Sequence, residues 1–165
     1  MKNLLIIRHA KSSWDEPGLS DFDRPLNKRG KRDVPFMGSL LKFRELIPDL
    51  VITSAAKRAR KTAALILEAM GCREELIDER ESLYLAETED LLELIRNLDD
   101  RLGRVFLIGH NPTLTHLVNL LAGESLDNLP TCGIASLEFE VDSWAHVMEG
   151  SARMAFLDYP KRHLS

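Results

Sequence analysis

Short apolar runs that alternate with helical patterns constrain the fold of this chain more than any other feature. The first run, Asn3–Arg8, predicts a buried strand because it is short, continuous and followed by polar residues. Runs at Asp49–Thr53 and Arg104–Ile108 precede helical segments, and Ile134–Val141 and Ala152–Leu157 predict two late strands. This alternation favours a three-layer α/β/α sandwich with a mainly parallel central sheet.

Capping residues mark the predicted helices of the first half. Asn27 is expected to cap a helix that runs to about Leu46, and Pro35 inside it should kink or restart the helix. Ser54 is expected to cap the helix Lys57–Met70, and the glycine that follows ends it. In the second half, Thr88 is the expected cap of an amphipathic helix. A last helix is predicted over 113–121.

Size, charge and cysteine content narrow the class of protein. The 165 residues, 44% of them apolar, fit one soluble domain over 1–165. A formal net charge of -4 argues against nucleic acid or an anionic membrane as a partner. The run Leu4–Ile7 is too short for a signal peptide or a membrane span, which predicts a cytoplasmic location. Cys72 and Cys132 are expected to be reduced thiols, and the chain is expected to act as a monomer without a cofactor.

Arginine and histidine side chains follow three of the predicted strands. Arg8 and His9 end the first strand, Arg58 opens the helix after the second, and His110 follows the strand at 104–108. In open α/β sheets, ligands bind beyond the carboxyl ends of the strands. These four side chains are therefore expected to meet at one site.

The four side chains suit the transfer of a phosphoryl group. A neutral imidazole attacks a phosphate dianion without charge repulsion, and we assign this role to His9, with one ring nitrogen held by a backbone carbonyl. The forked guanidinium groups of Arg8 and Arg58 suit the phosphoryl oxygens, and His110 adds a further donor. Ser12 is expected to contribute its hydroxyl or its backbone amide to phosphate binding.

The leaving group also requires a proton donor. Glu81, in a polar segment shortly before Tyr84, is the preferred general acid. The alternatives are the acidic residues of the early loop: Asp15, Glu16, Asp21 and Asp23. Arg24 in the same loop is expected to fix it through a carboxylate partner.

Several other chemistries lack the required spacing. Neither Cys72 nor Cys132 is followed six positions later by the arginine of a cysteine phosphatase loop. The chain contains no Gly-x-x-x-x-Gly-Lys-Ser/Thr phosphate loop and no Gly-x-Ser-x-Gly nucleophile elbow. His110 and His116 are six positions apart, which places them on different faces of a helix, so no metal site is predicted.

Three motifs in order resemble those of the histidine phosphatase superfamily, the phosphoglycerate-mutase-like group. They are the segments 5–12, 54–62 and 108–112. Asp23–Leu26 with Gly30, and Leu83–Tyr84, are similar to the SixA-type phosphohistidine phosphatase branch. The sequence departs from the family pattern at Ala10, where glycine is common, and at Asp15, where mutases often carry asparagine.

The resemblance implies a three-layer α/β fold and a metal-free mechanism through a phosphohistidine. By position it assigns the phosphate pocket to Arg8, His9, Arg58 and His110. The sequence therefore predicts a metal-independent phosphatase that acts on phosphohistidine in a protein or on a phosphomonoester. The alternatives are a phosphatase for a small sugar, nucleotide or cofactor phosphate and, in another class, a non-catalytic phosphate-binding module.

Overall fold

A computed structural model describes residues 1–164, and within this range six strands form one sheet. The strands are β1 (Lys2–Arg8), β2 (Leu50–Ser54), β3 (Ile77–Arg80), β4 (Arg104–Gly109), β5 (Ile134–Phe139) and β6 (Ala152–Asp158). The helices are α1 (Lys28–Phe43), α2 (Lys57–Met70), α3 (Thr88–Arg96) and α4 (Thr113–Ala122).

The sheet order is β3-β2-β4-β1-β5-β6. The first four strands in this order are parallel, while β5 and β6 are antiparallel additions. In the register of β1 and β4, Arg8 lies opposite Gly109. The residues that follow them, His9 and His110, therefore leave the sheet at the same edge.

Alternating side chains of β1 separate the two halves of the core. Leu4 and Ile6 pack with apolar residues of α3 and α4, and Leu5 and Ile7 pack with those of α1 and α2. Because successive side chains of a strand point to opposite faces, one continuous apolar run supplies both cores. The predicted three-layer α/β fold with a mainly parallel sheet is confirmed.

One strand was not expected from the sequence. The polar segment Asp78–Arg80 belongs to β3, which pairs with β2 alone and lies at the edge of the sheet. An edge strand is covered on fewer sides and needs no continuous apolar run. Its residues are half-buried or exposed, so the pattern that marks the other strands is missing.

Two predicted caps differ from those in the structure, and one is as expected. Asn27 caps α1 by accepting from the backbone N–H of Gly30 at 2.9 Å. The prediction that Ser54 caps α2 is wrong, because Ser54 is the last residue of β2 and Ala56 occupies the cap position. Likewise Thr88 is the first residue of α3, and the carboxylate of Asp90 accepts from the N–H of the preceding cap residue.

Helix α1 is continuous through Pro35 and ends at Phe43, three residues before the predicted end. Pro35 and Lys31, the residue whose carbonyl its missing N–H would have bonded, both lie on the exposed face of the helix. Water can solvate that carbonyl, so the proline is tolerated without a restart.

Within residues 1–164, no helix is long and apolar enough to cross a membrane. Cys72 and Cys132 are free thiols. The prediction of a single domain over 1–165 stays a prediction, and its last residue, Ser165, lies outside the described residues.

Candidate active site

The four predicted pocket residues come together beyond the carboxyl ends of β1, β2 and β4. Arg8 ends β1 and His9 follows it, Arg58 lies in the first turn of α2, and His110 follows β4. The imidazole centroids of His9 and His110 are 5.2 Å apart, and the Nε of Arg58 is 3.3 Å from the Nε2 of His9. The strand ends thus place three separate segments around one imidazole.

The hydrogen bonds of His9 define its tautomer. Its Nδ1 lies 2.7 Å from the carbonyl oxygen of Ala10, which can only accept, so Nδ1 carries the proton. The other nitrogen, Nε2, carries the lone pair of the ring, and this lone pair accepts from the Nε–H of Arg58. Burial, together with the charges of His110, Arg58 and Arg8, lowers the pKa of His9 to about 3, against the opposing Ala10 hydrogen bond. His9 is therefore a neutral imidazole at physiological pH.

Two arginines flank this imidazole. Arg8 donates from Nη1 to the carbonyl of Leu129 at 3.0 Å, while its buried Nε has no partner within residues 1–164. Arg58 donates to the backbone oxygen of Asp21 at 2.6 Å and to its carboxylate at 3.0 Å. A guanidinium that already holds a carboxylate can hold phosphoryl oxygens in the same way.

His110 is held by the end of β2. Its Nε2 lies 2.8 Å from the hydroxyl of Ser54, and its buried Nδ1 has no partner among the described residues. Burial lowers the pKa of His110 to about 4, with Arg58 and Arg8 acting in the same direction and Asp21 in the opposite one. A bound phosphoryl dianion would raise this pKa and make the ring a charged donor.

Thr62, the last residue of the motif 54–62, joins two of the site segments, a role that was not assigned from the sequence. Its hydroxyl accepts from the N–H of Ala10 at 3.0 Å and donates to the carbonyl of Arg58 at 2.7 Å. The signal for this role was its spacing: Thr62 lies one helical turn after Arg58 and is fully buried. The backbone beside His9 is thereby fixed to the helix that carries Arg58.

The early loop, residues 13–27, closes one side of the site. Arg24 pairs with the carboxylate of Asp21 at 3.1 Å, donates to the carbonyl of Ser13, and its guanidinium carbon lies 3.4 Å from the ring centroid of Trp14. Arg24 therefore fixes the loop through a carboxylate, as predicted. The fixed carboxylate of Asp21 faces Arg58.

Tyr84 holds Asp21 from the opposite side. Its hydroxyl donates to the Asp21 carboxylate, and its ring packs edge-on against Phe22 with centroids 5.0 Å apart. The hydrogen bond from Tyr84 lowers the pKa of Asp21 to about 2, with a further contribution from Arg58, while the pKa of Tyr84 is raised. Asp21 is thus ionised. Residues far apart in sequence build this contact, so no local pattern could have predicted it.

The remaining predicted site residues lie farther out or make other contacts. Glu81 is exposed, and its carboxylate makes no hydrogen bond or ion pair with any residue in 1–164. Ser12 is buried and forms an isolated antiparallel bridge with Leu26. The exposed loop acids Asp15, Glu16 and Asp23 make no contact with Arg58. Of the five candidate acids, Asp21 is the one that contacts Arg58. The assignment of the general acid to Glu81 stays a prediction.

Comparisons with known proteins agree with this geometry. The sequence profile of the histidine phosphatase superfamily (branch 1) matches residues 4–91. An uncharacterized protein of Mycobacterium tuberculosis is 32% identical over 165 residues, which cover 94% of this chain and 100% of that protein. The solved structure of SixA from Agrobacterium tumefaciens has a TM-score of 0.83 at 30% identity, over 96% of this chain and 98% of that one.

A second solved structure, the protein histidine phosphatase SixA in complex with tungstate, shares the fold. Its TM-score is 0.83 at 21% identity, over 97% of this chain and 98% of that one. The fold, the site and these similarities define a phosphatase-type hydrolase. The chain belongs to the histidine phosphatase superfamily.

Proposed function

We propose that this protein is a metal-independent phosphatase that forms a covalent phosphohistidine on His9. The observation that carries the proposal is the state of His9, whose Nδ1 proton is held by the Ala10 carbonyl at 2.7 Å. Its neutral Nε2 lone pair faces Arg58 at 3.3 Å. A nucleophilic imidazole requires this tautomer, and Nε2 becomes free to attack when Arg58 turns its donors to the phosphoryl oxygens.

The reaction has two steps. In the first, Nε2 of His9 forms a bond to phosphorus while the bond from phosphorus to the leaving oxygen or nitrogen breaks, and Glu81, the acid that we propose, gives its proton to the leaving atom. Arg8, Arg58 and His110 donate to the phosphoryl oxygens, where negative charge accumulates. Ser12 adds its backbone amide or hydroxyl. In the second step, water attacks phosphorus, the N–P bond breaks, and a carboxylate takes the proton that the water loses.

Phosphohistidine in a protein or a phosphomonoester is the substrate that we propose. The similarity to SixA supports the first. The state of Asp21 supports it as well, because this ionised carboxylate adjoins the pocket and is a poor proton donor. A phosphohistidine whose second ring nitrogen carries a proton releases a neutral imidazole without a proton donor, whereas a leaving alkoxide requires one. An ionised Asp21 instead suits a hydrogen bond from the leaving imidazole.

We propose further that the chain acts in the cytoplasm as a monomer, without nucleic acid. The acidic net charge of -4 and the two free thiols support this setting.

Trapping of the phosphoenzyme tests the proposal. The protein is mixed with an aryl phosphate in EDTA, quenched rapidly in alkali, in which phosphohistidine survives, and analysed by mass spectrometry. We expect a phosphoryl adduct on His9 and turnover without added metal. The variant His9→Ala should lose the adduct and lose turnover by at least about 10³-fold.

His116→Ala is the matched control, because His116 is exposed on α4. It should form the adduct and turn over like the wild type. An adduct on another residue, or unchanged turnover in His9→Ala, would contradict the proposal. Phosphate binding without turnover of either aryl phosphate or phosphohistidine would favour the non-catalytic module.

A leaving-group series identifies the proton donor. Glu81→Gln and Asp21→Asn are compared on 4-nitrophenyl phosphate, whose leaving group needs no proton, and on an alkyl phosphate, whose leaving group does. If Glu81 is the acid, as we propose, Glu81→Gln loses about 10²-fold or more on the alkyl ester and little on the nitrophenyl ester. The same selective loss in Asp21→Asn alone would transfer the role to Asp21.

A further inference from the structure

A second cavity, of about 450 Å³, adjoins the candidate active site. It lies between the start of α1, the loop before β5 and the segment that follows β6. Five of its lining side chains are cationic: Arg8, Lys11, Arg29, Arg32 and Lys161. One carboxylate, Asp33, also lines it. Such a concentration of positive charge is unexpected in a chain whose net charge is -4.

The carboxylate of Asp33 neutralises only part of this positive charge. Its buried carboxylate accepts two hydrogen bonds from Arg32 at one oxygen, and its other oxygen lies 3.6 Å from Arg29. Arg29 also donates to the hydroxyl of Thr131 at 3.1 Å. These contacts hold the two guanidinium groups in place. Within residues 1–164, the ammonium groups of Lys11 and Lys161 take part in no ion pair.

Arg8 connects the cavity to the phosphoryl pocket. It lines the cavity, and its charge contributes to the lowered pKa of both His9 and His110, so the same guanidinium is near the two imidazoles. The carbonyl of Leu129 accepts from Arg8 at 3.0 Å and from Asn111 at 2.8 Å, and the two neighbours of Leu129 in sequence line the cavity. The buried Nε of Arg8 is left without a partner among the described residues.

We propose that this cavity binds a second anionic group of the phosphorylated substrate, a phosphate or a carboxylate. The inference rests on the proposed function, because it takes the phosphoryl group on the neighbouring His9 as given. Arginine forks and ammonium groups are the donors that recognise both anions. The cavity volume is within the range of small-molecule sites, so there is room for the anion and a short linker.

Alkanediol bisphosphates of three to six carbons test the subsite against alkyl monophosphates of the same length. We expect kcat/KM to be about tenfold higher or more for the preferred bisphosphate, the effect of one or two charge-assisted hydrogen bonds. The double variant Lys11→Gln with Lys161→Gln should reduce this preference to about twofold or less. These lysines are chosen because neither belongs to the buried Asp33 network.

Lys31→Gln with Lys42→Gln is the matched control. Both lysines are exposed on α1 and do not line the cavity, so the variant loses the same charge. It should keep the wild-type preference. If both double variants lose the preference for the bisphosphate equally, net charge explains the preference and the subsite is overturned. A wild type that shows no preference for the bisphosphate would overturn it as well.

Phosphohistidine peptides identify the source of the second anion. Peptides with an aspartate near the phosphohistidine are compared with peptides that carry asparagine there. A lysine-dependent preference for the aspartate peptides assigns the cavity to an acidic side chain of a protein substrate. A preference confined to the bisphosphates assigns it to a small molecule.

Calorimetric titration of His9→Ala separates this inference from the proposed function. The variant cannot turn over by the proposed route, yet it should bind the bisphosphate more tightly than the monophosphate, and the two lysines should account for the difference. If this binding preference is present but no phosphoenzyme forms in the wild type, the proposed function fails and the subsite stands. If His9 is phosphorylated but the preference is absent, the subsite fails alone.

Discussion

At the scale of single residues, the neighbouring carbonyl of Ala10 decides which nitrogen of His9 carries the proton. A carbonyl oxygen can only accept, so the proton stays on Nδ1 and the lone pair on Nε2. Burial then keeps the ring neutral with a pKa of about 3. The sequence supplies the histidine, but its tautomer depends on a 2.7 Å contact that only the folded backbone shows.

Asp21 occupies donors that a phosphoryl group would need. Its carboxylate lies 3.0 Å from Arg58 and is ionised, with a pKa of about 2. In Asp21→Asn the negative charge is removed, and we expect inorganic phosphate to bind more tightly by roughly three- to tenfold, because less charge competes for the guanidinium. Isothermal titration calorimetry at pH 7 measures the change.

Asp23→Asn is the control for this prediction. Asp23 lies in the same loop, and its substitution removes the same charge. Its carboxylate accepts a hydrogen bond from the hydroxyl of Ser20 and does not contact Arg58. The affinity of Asp23→Asn for phosphate should remain within about twofold of the wild type. Weaker binding in Asp21→Asn would mean that Asp21 helps to assemble the pocket rather than to compete for it.

At the scale of elements, the approach of α1 to the segment after His9 is set by Gly30. A Cβ on this residue would lie 2.3 Å from the carbonyl oxygen of Lys11, and this backbone atom cannot move away as a flexible side chain would. Lys11 also accepts from the N–H of Asn27 at 3.0 Å, so helix and loop are fixed together. The glycine thus permits a close packing that positions the active-site segment.

Gly30→Ala is therefore expected to destabilise the protein by about 1–3 kcal/mol through overpacking. It should also lower kcat/KM, because the displaced segment carries His9. Urea denaturation and steady-state kinetics measure the two effects. Gly18→Ala is the control: nothing lies within 4 Å of its added Cβ, and stability should change by less than about 0.5 kcal/mol. Equal stability of the two variants would contradict the prediction.

At the scale of the whole molecule, two neutral histidines, the buried His9 and the half-buried His110, make stability depend on pH. The pKa values of His9 and His110 are lowered to about 3 and about 4, against about 6.5 in an unfolded chain. Between these pKa values the unfolded state binds more protons than the folded state. The contribution of the two neutral histidines to stability is therefore complete above about pH 6.5 and is lost as the pH falls. The lowered pKa of Asp21 affects the pH dependence of stability only below about pH 4.

We therefore expect the free energy of unfolding to fall between pH 6.5 and 4.5 by up to about 1.4 kcal/mol per pH unit for each histidine. His9→Asn with His110→Asn should flatten this slope. Urea denaturation at several pH values measures it. An unchanged slope in the double variant would show that other groups cause the acid sensitivity.

The sequence alone determined the layers of the fold, and it predicted the four side chains that meet beyond the strand ends. Apolar runs of strand length alternate with amphipathic helices, and these segments form the expected strands and helices in the folded chain. Arg8, His9, Arg58 and His110 could be predicted because each lies within a few residues of a strand end. Parallel strands bring such ends to one edge of the sheet whatever the details of packing.

Only the tertiary structure decided the contacts between distant segments. The position of β3 at the sheet edge, the cap of α2 and the contacts of Asp21 with Arg58 and Tyr84 were all absent from the local pattern. Tyr84 is 63 residues from Asp21, and the cavity that Arg8 lines is built from four separate segments. Such contacts depend on how elements pack, and no local spacing of residues records that information.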